Sequence, residues 1–373
     1  MKDISSSHSI SPAKVIRGKK AWEEGKRFIP TICQKPILIG RSSSTFNIRK
    51  ALKSDLLKLD LKAISAELNY DCCELDINRL QIIASSNNCD AVIAAGGGKV
   101  LDSGKLLANR LSMPCITIPT SAATCAGWTA LSNIYSPKGA FIRDEILKSC
   151  PDLLIFDHGF VREAPTRTLA SGIADALAKW YEASSTSTSN QDGLVQQAVQ
   201  MARVLRDQLF IDGFKALQNP NSDAWVRVAE GCALTAGIIG GIGGSKCRTA
   251  VAHSLHNGLT QLEATDQFLH GEIVCLGIVV QLHLEELLEV NQLASQARMQ
   301  LVNYLKRLNL PISIDELGLE KLKIAQLDKA CRFACKEDSD IHQLPFNVNP
   351  TLLMEALMKA RDPERIINVK EVS

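Results

Sequence analysis

The chain has 373 residues, 46% hydrophobic and 22% charged, the composition of an ordinary folded protein with length for two cores rather than one. Its 42 basic residues are nearly matched by 40 acidic ones, for a formal net charge of +2. That balance gives no electrostatic case for nucleic acid or an acidic membrane surface as a partner.

The first half alternates in the βα manner. Pro36–Gly40 (PILIG) is a short apolar run ending in glycine, and the RSSS after it reads as a helix cap. A helical stretch over Ile77–Ser86 precedes a second apolar run, Asp90–Ala95. Cys115–Pro119 (CITIP) is a third run and Leu153–Phe156 a fourth. Strands that are apolar throughout and separated by helices predict a parallel sheet covered on both faces. After about residue 165 apolar residues recur at helical spacing over 168–183, 193–210, 223–239, 248–262, 271–289 and 293–308. The pattern predicts an α/β nucleotide domain followed by an all-helical domain, with a site in the cleft between them. The patch SSTSTSN at 184–190 is expected to be a loop, and the first residues are expected to be disordered at the start.

Twelve cysteines without a CxxC, and a start, MKDISSSHSISPAK, without an apolar signal core, are expected of reduced thiols and a cytoplasmic protein. No uncharged apolar stretch reaches the roughly 18 residues of a membrane span. The nearest candidate, around Gly231–Gly244, is glycine-rich and predicted to be a buried helix and turn.

Two segments have the character of a nucleotide site. In DAVIAAGGGKVLDSGK, residues 90–105, Gly96, Gly97 and Gly98 end a strand, so backbone can approach a ligand closely. A helix starting near Lys99 would aim free N–H groups at a diphosphate. The spacing is neither G-x-G-x-x-G nor a Walker loop, and a tight βα turn that binds nothing fits the same residues. In PTSAATCAGWTALSNIY, residues 119–135, small residues dominate Ser121–Gly127, and Thr120 and Thr124 offer hydroxyls. A plain loop joining strand to helix is the alternative.

A third group reads as a metal site. Asp175, in SGIADALAKWYEA (171–183), lies in an otherwise apolar helical stretch, where an unpaired carboxylate is costly. His253 and His256 stand three apart on one helical face, and His270 precedes Gly271-Glu272 at the mouth of the next helix. A carboxylate and two imidazoles form a ligand set that leaves positions open for water or substrate. Against this stand the ordinary roles of such residues: a helix cap, a surface charge, a core histidine.

These motifs together make the chain resemble the glycerol dehydrogenase branch of the iron-containing (group III) alcohol dehydrogenase superfamily. The resemblance runs from PILIG to beyond residue 340, through GGGKVLDSGK, PTSAATCAGWTALSNIY, GIADALAKWYEA and AHSLHNGLTQLEATDQFLHGE. It implies a dehydroquinate synthase-like fold, with an α/β N-terminal Rossmann-like, dinucleotide-binding domain over 1–165 and an all-α C-terminal domain over 166–373 for metal and substrate. It implies one divalent metal, zinc or iron, on Asp175, His253 and His270. Dinucleotide contacts are implied at Gly97, Gly98, Lys99, Thr120, Thr129, Leu131 and Tyr135. A small-molecule substrate and a homo-oligomer are implied as well.

Two departures from the family pattern carry expectations. Where glycerol dehydrogenases read STDAP, with an aspartate on the polyol hydroxyls, this chain has Cys125, which cannot accept a hydrogen bond as a carboxylate does. Where they carry an aspartate for the adenosine ribose after the first strand, this chain has Arg41. Loss of the acid and gain of a cation is the change expected if a 2′-phosphate is accommodated, so NADP(H) is expected over NAD(H). The loop and the AKWYEA ending look closest to hydroxycarboxylate dehydrogenases, which reduce 2-oxo acids. Arg248, five positions before His253, is placed on a helix about one and a half turns from that ligand and assigned to a substrate carboxylate; a surface charge or ion pair is its other reading.

The expected function is therefore a metal-dependent interconversion of a small 2-hydroxy acid and its 2-oxo acid by hydride transfer. His256 is the candidate for relaying the hydroxyl proton, or else a residue that only supports the ligands. A glycerol or other polyol dehydrogenase is the alternative. A non-redox enzyme of the dehydroquinate synthase type, whose ligands are a Glu and two His, stands third.

Overall fold

A computed structural model describes residues 7–188, 190 and 192–362. Six strands, β1 Lys14–Gly18, β2 Pro36–Gly40, β3 Ile64–Glu67, β4 Ala91–Gly96, β5 Cys115–Pro119 and β8 Leu153–Asp157, form one sheet in the order β1-β8-β5-β4-β2-β3. Every pairing in it is parallel. The central strands β2, β4, β5 and β8 are buried at every residue, which is why their sequences are unbroken apolar runs. The edge strands β1 and β3 are short and half exposed. A separate antiparallel pair, β6 Leu131–Tyr135 and β7 Phe141–Ile146, follows β5.

The helices are α1 Ala21–Gly25, α2 Phe46–Lys58, α3 Glu74–Ser86, α4 Gly98–Leu111, α5 His158–Arg162, α6 Thr166–Thr186 and α7 Gly193–Gln218. They continue as α8 Asp223–Glu230, α9 Ala236–Gly243, α10 Val251–Leu259, α11 His270–Leu287, α12 Ala294–Arg307, α13 Ile324–Ala334 and α14 Pro350–Lys359. Helix α4 lies tight on β4, where a Cβ at Gly104 would overlap Ala94.

The chain packs as two compact units, Met1–Leu169 with Cys232–Ile242, and Ala170–Gly231 with Gly243–Ser373. The second segment of the first unit includes α9, whose Gly237 leaves room for the Trp128 ring; a Cβ there would lie 2.5 Å from it. A division at residue 165 is therefore too simple, because tertiary packing of an apolar helix carries no local sequence mark.

Two readings are corrected. The disorder expected at the start falls on residues 1–6, which lie outside the described residues, while Lys14–Gly18 pairs along β8. The patch at 184–190 is not wholly a loop. Helix α6 runs to Thr186, whose hydroxyl donates back to the Glu182 carbonyl at 3.1 Å. Segment 119–135 does not join strand to helix, for it ends in β6. Among the described residues one run, Asp223–Cys247, is long and apolar enough to cross a membrane, and 61% of its most apolar part is buried. It contains α8, a π-turn over Gly231–Thr235 and α9, in keeping with a buried helix and turn. All twelve cysteines are free.

Candidate metal and dinucleotide sites

In the second unit Asp175 projects from α6, His253 from α10, and His270 from the first turn of α11. His253 Nε2 lies 3.2 Å and His270 Nε2 3.4 Å from Asp175 Oδ1. The three ligand atoms all fall within 4.8 Å of one another. Asp175 and His253 are buried and His270 is half-buried. Burial alone raises a carboxyl, but Lys179 and the two imidazoles hold Asp175 well below the usual carboxylate range. Burial likewise pulls His253 down, yet the Glu182 and Asp175 carboxylates outweigh it and push the ring up to about 9. One ionised oxygen facing two imidazole nitrogens is a donor set that fits a divalent zinc or iron ion.

Both imidazoles are held from behind. His253 Nδ1 lies 2.6 Å from Glu182 Oε2, a fully buried carboxylate. His270 Nδ1 lies 3.0 Å from His256 Nε2, and His256 Nδ1 lies 3.0 Å from Asn257 Oδ1. With the Nε2 of His270 turned to Asp175, one proton assignment satisfies this row. His270 Nδ1–H donates to His256 Nε2, and His256 Nδ1–H donates to Asn257. His256 thus touches His270 rather than the Asp175 oxygen.

Glu182 did not emerge from the sequence, although it was readable there. It stands seven residues after Asp175, two helical turns along the same face. Arg248 is off the helix on which it was expected. It ends the 3-10 turn Gly244–Cys247, and α10 begins only at Val251. Its carbonyl accepts from Lys179 Nζ at 3.3 Å, which ties this bend to α6 one turn beyond Asp175. Its Nε is buried and has no hydrogen-bond partner among the described residues.

In the first unit the glycine turn joins β4 to α4. Gly97 is the N-cap, and no side chain caps the helix, so its first N–H groups have no side-chain acceptor among the described residues. A Cβ at Gly98 would lie 2.7 Å from Thr124 Oγ1. The Thr120 N–H donates to the Gly96 carbonyl at 3.0 Å, bringing the end of β5 against this turn. Lys99 Nζ stands 5.0 Å from the Tyr135 ring centre. Thr129 is held by Lys105 of α4, whose Nζ donates to its carbonyl at 3.1 Å and to the Leu131 carbonyl. Lys105 is buried and pairs with Asp102 at 3.0 Å. Arg41 and Lys99 both pair with one carboxylate, Asp71. Neither Asp71 nor Lys105 was singled out in the sequence. Asp71 meets its partners only after β2, β3 and β4 are aligned. Cys125 is half-buried in the loop before Trp128, whose N–H donates to its carbonyl at 2.9 Å.

The sequence profile described as iron-containing alcohol dehydrogenase matches residues 12–158. The chain is 43% identical over 352 residues, 94% of its length and 91% of the relative's, to an uncharacterized oxidoreductase of Synechocystis sp.. It is 34% identical to hydroxycarboxylate dehydrogenase A of Escherichia coli over 77% of this chain and 79% of that one. The solved structure of a glycerol dehydrogenase from Schizosaccharomyces pombe superimposes with a TM-score of 0.84 at 25% identity, covering 96% of this chain and 92% of that one. The chain belongs to the iron-containing alcohol dehydrogenase family, whose members are NAD(P)-dependent oxidoreductases of CH–OH groups that hold a divalent metal. Its fold is the dehydroquinate synthase-like fold expected above.

Proposed function

We propose that the protein reduces small 2-oxo acids to 2-hydroxy acids, and catalyses the reverse oxidation, with NADP(H) and a zinc or iron ion on Asp175, His253 and His270. The observation that carries this reading is Arg248. Arg248 stands in a bend whose backbone carbonyl accepts from Lys179, itself one helical turn along α6 from Asp175, and its Nε is buried with no hydrogen-bond partner among the described residues. Burying a donor without a partner is costly, and a planar carboxylate is the group that satisfies it in a bidentate pair. Cys125 supports the same reading, because a thiol in place of a carboxylate removes the acceptor a polyol needs. Two cations on Asp71 leave a net positive charge where a 2′-phosphate would sit.

When bound, the ion supplies Lewis acidity toward the substrate oxygen and the dinucleotide carries the hydride. Asp175, held ionised by Lys179, and the two imidazoles hold the ion. Arg248 orients the substrate carboxylate. His256 accepts the Nδ1–H of His270 and so fixes the face that ring presents, rather than taking the substrate proton itself. Gly97, Gly98 and Lys99, with Thr120, Thr129, Leu131 and Tyr135, hold the dinucleotide.

A polyol dehydrogenase is the competing reading, favoured by the likeness to the glycerol dehydrogenase structure. The two separate in one assay, the oxidation of NADPH and of NADH by metal-loaded protein with 2-oxobutyrate, 2-oxoglutarate and dihydroxyacetone in parallel. Turnover of the oxo acids with NADPH is expected. Arg248→Ala should then raise the KM for them by about 10- to 100-fold, the equivalent of about 1.5–3 kcal/mol for a hydrogen bond to a charged group. Turnover of dihydroxyacetone with NADH alone would make it a polyol enzyme.

A further inference from the structure

We infer that Glu182 is a positioning residue that fixes the tautomer His253 adopts on metal binding, so that Nε2 is the nitrogen offered to an ion beside Asp175. This rests on the metal reading above and adds to it a residue outside the ligand set. Glu182 is fully buried on α6 and its carboxylate reaches the start of α10. Oε1 accepts the Ala250 N–H at 2.6 Å and the His253 N–H at 3.0 Å. Oε2 lies 2.6 Å from His253 Nδ1. Helix α10 has no side-chain cap of its own, so Glu182, reaching across from α6, serves as one, and a carboxylate is the favoured group at a helix N-terminus. A carboxylate oxygen can only accept from Nδ1. When an ion displaces one proton from the ring, the proton that stays is therefore compelled to sit on Nδ1, and Nε2 is left bare as a ligand.

The two duties of Glu182 separate in one substitution. In Glu182→Gln the amide oxygen can still accept both backbone N–H groups, so the cap on α10 survives. The amide nitrogen then takes the place of Oε2, and an N–H donor facing Nδ1 turns the ring to the Nε2–H tautomer, which cannot ligate. Glu182→Asp is the opposite change: it retains an acceptor-only group and withdraws it by one methylene. A steric or packing role would make Gln, the isostere, the milder variant. A tautomer-fixing role makes Asp the milder one.

The experiment measures the zinc Kd of the full-length protein by competition with a chromophoric chelator. It is combined with 15N-resolved spectra of the histidine side chains in the zinc-loaded state and with thermal melts of the metal-free proteins. The expected result has four parts. The melting temperature of Glu182→Gln stays near wild type; its zinc affinity falls about 10- to 100-fold, the usual size for losing such a partner; Glu182→Asp binds zinc better than Gln; and His253 in wild type carries its proton on Nδ1. Zinc affinity in Glu182→Gln within threefold of wild type overturns the inference, as does a wild-type His253 protonated on Nε2. Should the Gln variant fail to fold, the wild-type spectrum decides. If the wild type itself binds no zinc or ferrous ion, the metal reading falls and takes this inference with it. Metal binding that is indifferent to Glu182 sinks the inference alone.

Discussion

His283 is a buried histidine outside the candidate metal site whose protonation couples to stability. It sits on α11, fully buried, with both ring nitrogens lacking a hydrogen-bond partner among the described residues. Burial, then the nearby charges of Arg298 and Lys359, push it down to about 3. The folded protein therefore keeps this ring neutral while the unfolded chain takes up a proton near pH 6.5. The stability it contributes is full above pH 6.5 and drains away as pH falls from there toward 3. At pH 5.5 the loss from this one group is about 1.4 kcal/mol relative to pH 7.5. His283→Leu should lessen the loss between those two pH values by that amount in urea unfolding. An acid limb identical to that of wild type would assign the sensitivity to other groups. A second residue-scale expectation concerns Asp71. Neutralising it in Asp71→Asn frees Arg41 and Lys99 for phosphate, and the ratio of NADPH to NADH affinity should rise about fivefold, corresponding to about 1 kcal/mol for partly exposed charges. Fluorescence titration with each cofactor measures it, and a ratio that does not move would detach Arg41 from the 2′-phosphate.

Between elements, the site depends on how closely α11 approaches α10 and α6. Gly271 lies against Ser171 of α6, where any Cβ would overlap the Ser171 carbonyl, and a Cβ on Gly277 would come 2.5 Å from the Ala252 carbonyl oxygen. These helices carry His270, His253 and Asp175. Gly277→Ala must push α11 off α10, so it should destabilise by about 1–3 kcal/mol and weaken zinc binding together. Gly193→Ala, where nothing lies within 4 Å of the new methyl, is the control and should leave zinc affinity unchanged. Contacts of this kind also explain what could be read beforehand. Buried central strands such as Ala91–Gly96 and Cys115–Pro119 declare themselves because both faces are apolar. The edge strand Ile64–Glu67 and the hairpin strand Phe141–Ile146, with FIRDEI largely exposed, have no such run and went unseen. That Asp175, His253 and His270 come together was legible from their setting in recognisable motifs. Arg248 was misplaced because helical spacing was carried back through a stretch where Gly243, Gly244 and a 3-10 turn end the periodicity.

For the molecule as a whole, an ion bound as proposed would be a cross-link. Asp175, His253 and His270 come from three helices of the second unit, and α6, α10 and α11 are also packed through Glu182 and the two glycines. An ion that binds only the folded form stabilises it by about 2.7 kcal/mol at a free concentration of 100 times its Kd. Two compact units make a single all-or-none transition a poor description, so calorimetry on the full chain is the measurement. Chelation of metal-loaded protein should lower the transition of the second unit, and added zinc should restore it. On the proposed assignment of the dinucleotide to the first unit, NADPH should act on the other transition. In Asp175→Asn the neutral amide gives up the charge that Lys179 and the imidazoles now balance. The zinc-dependent shift should vanish there while the NADPH-dependent shift persists. A zinc shift that survives in Asp175→Asn would place the metal on other residues, whereas loss of both shifts would mean that the variant had lost its fold rather than its ligand.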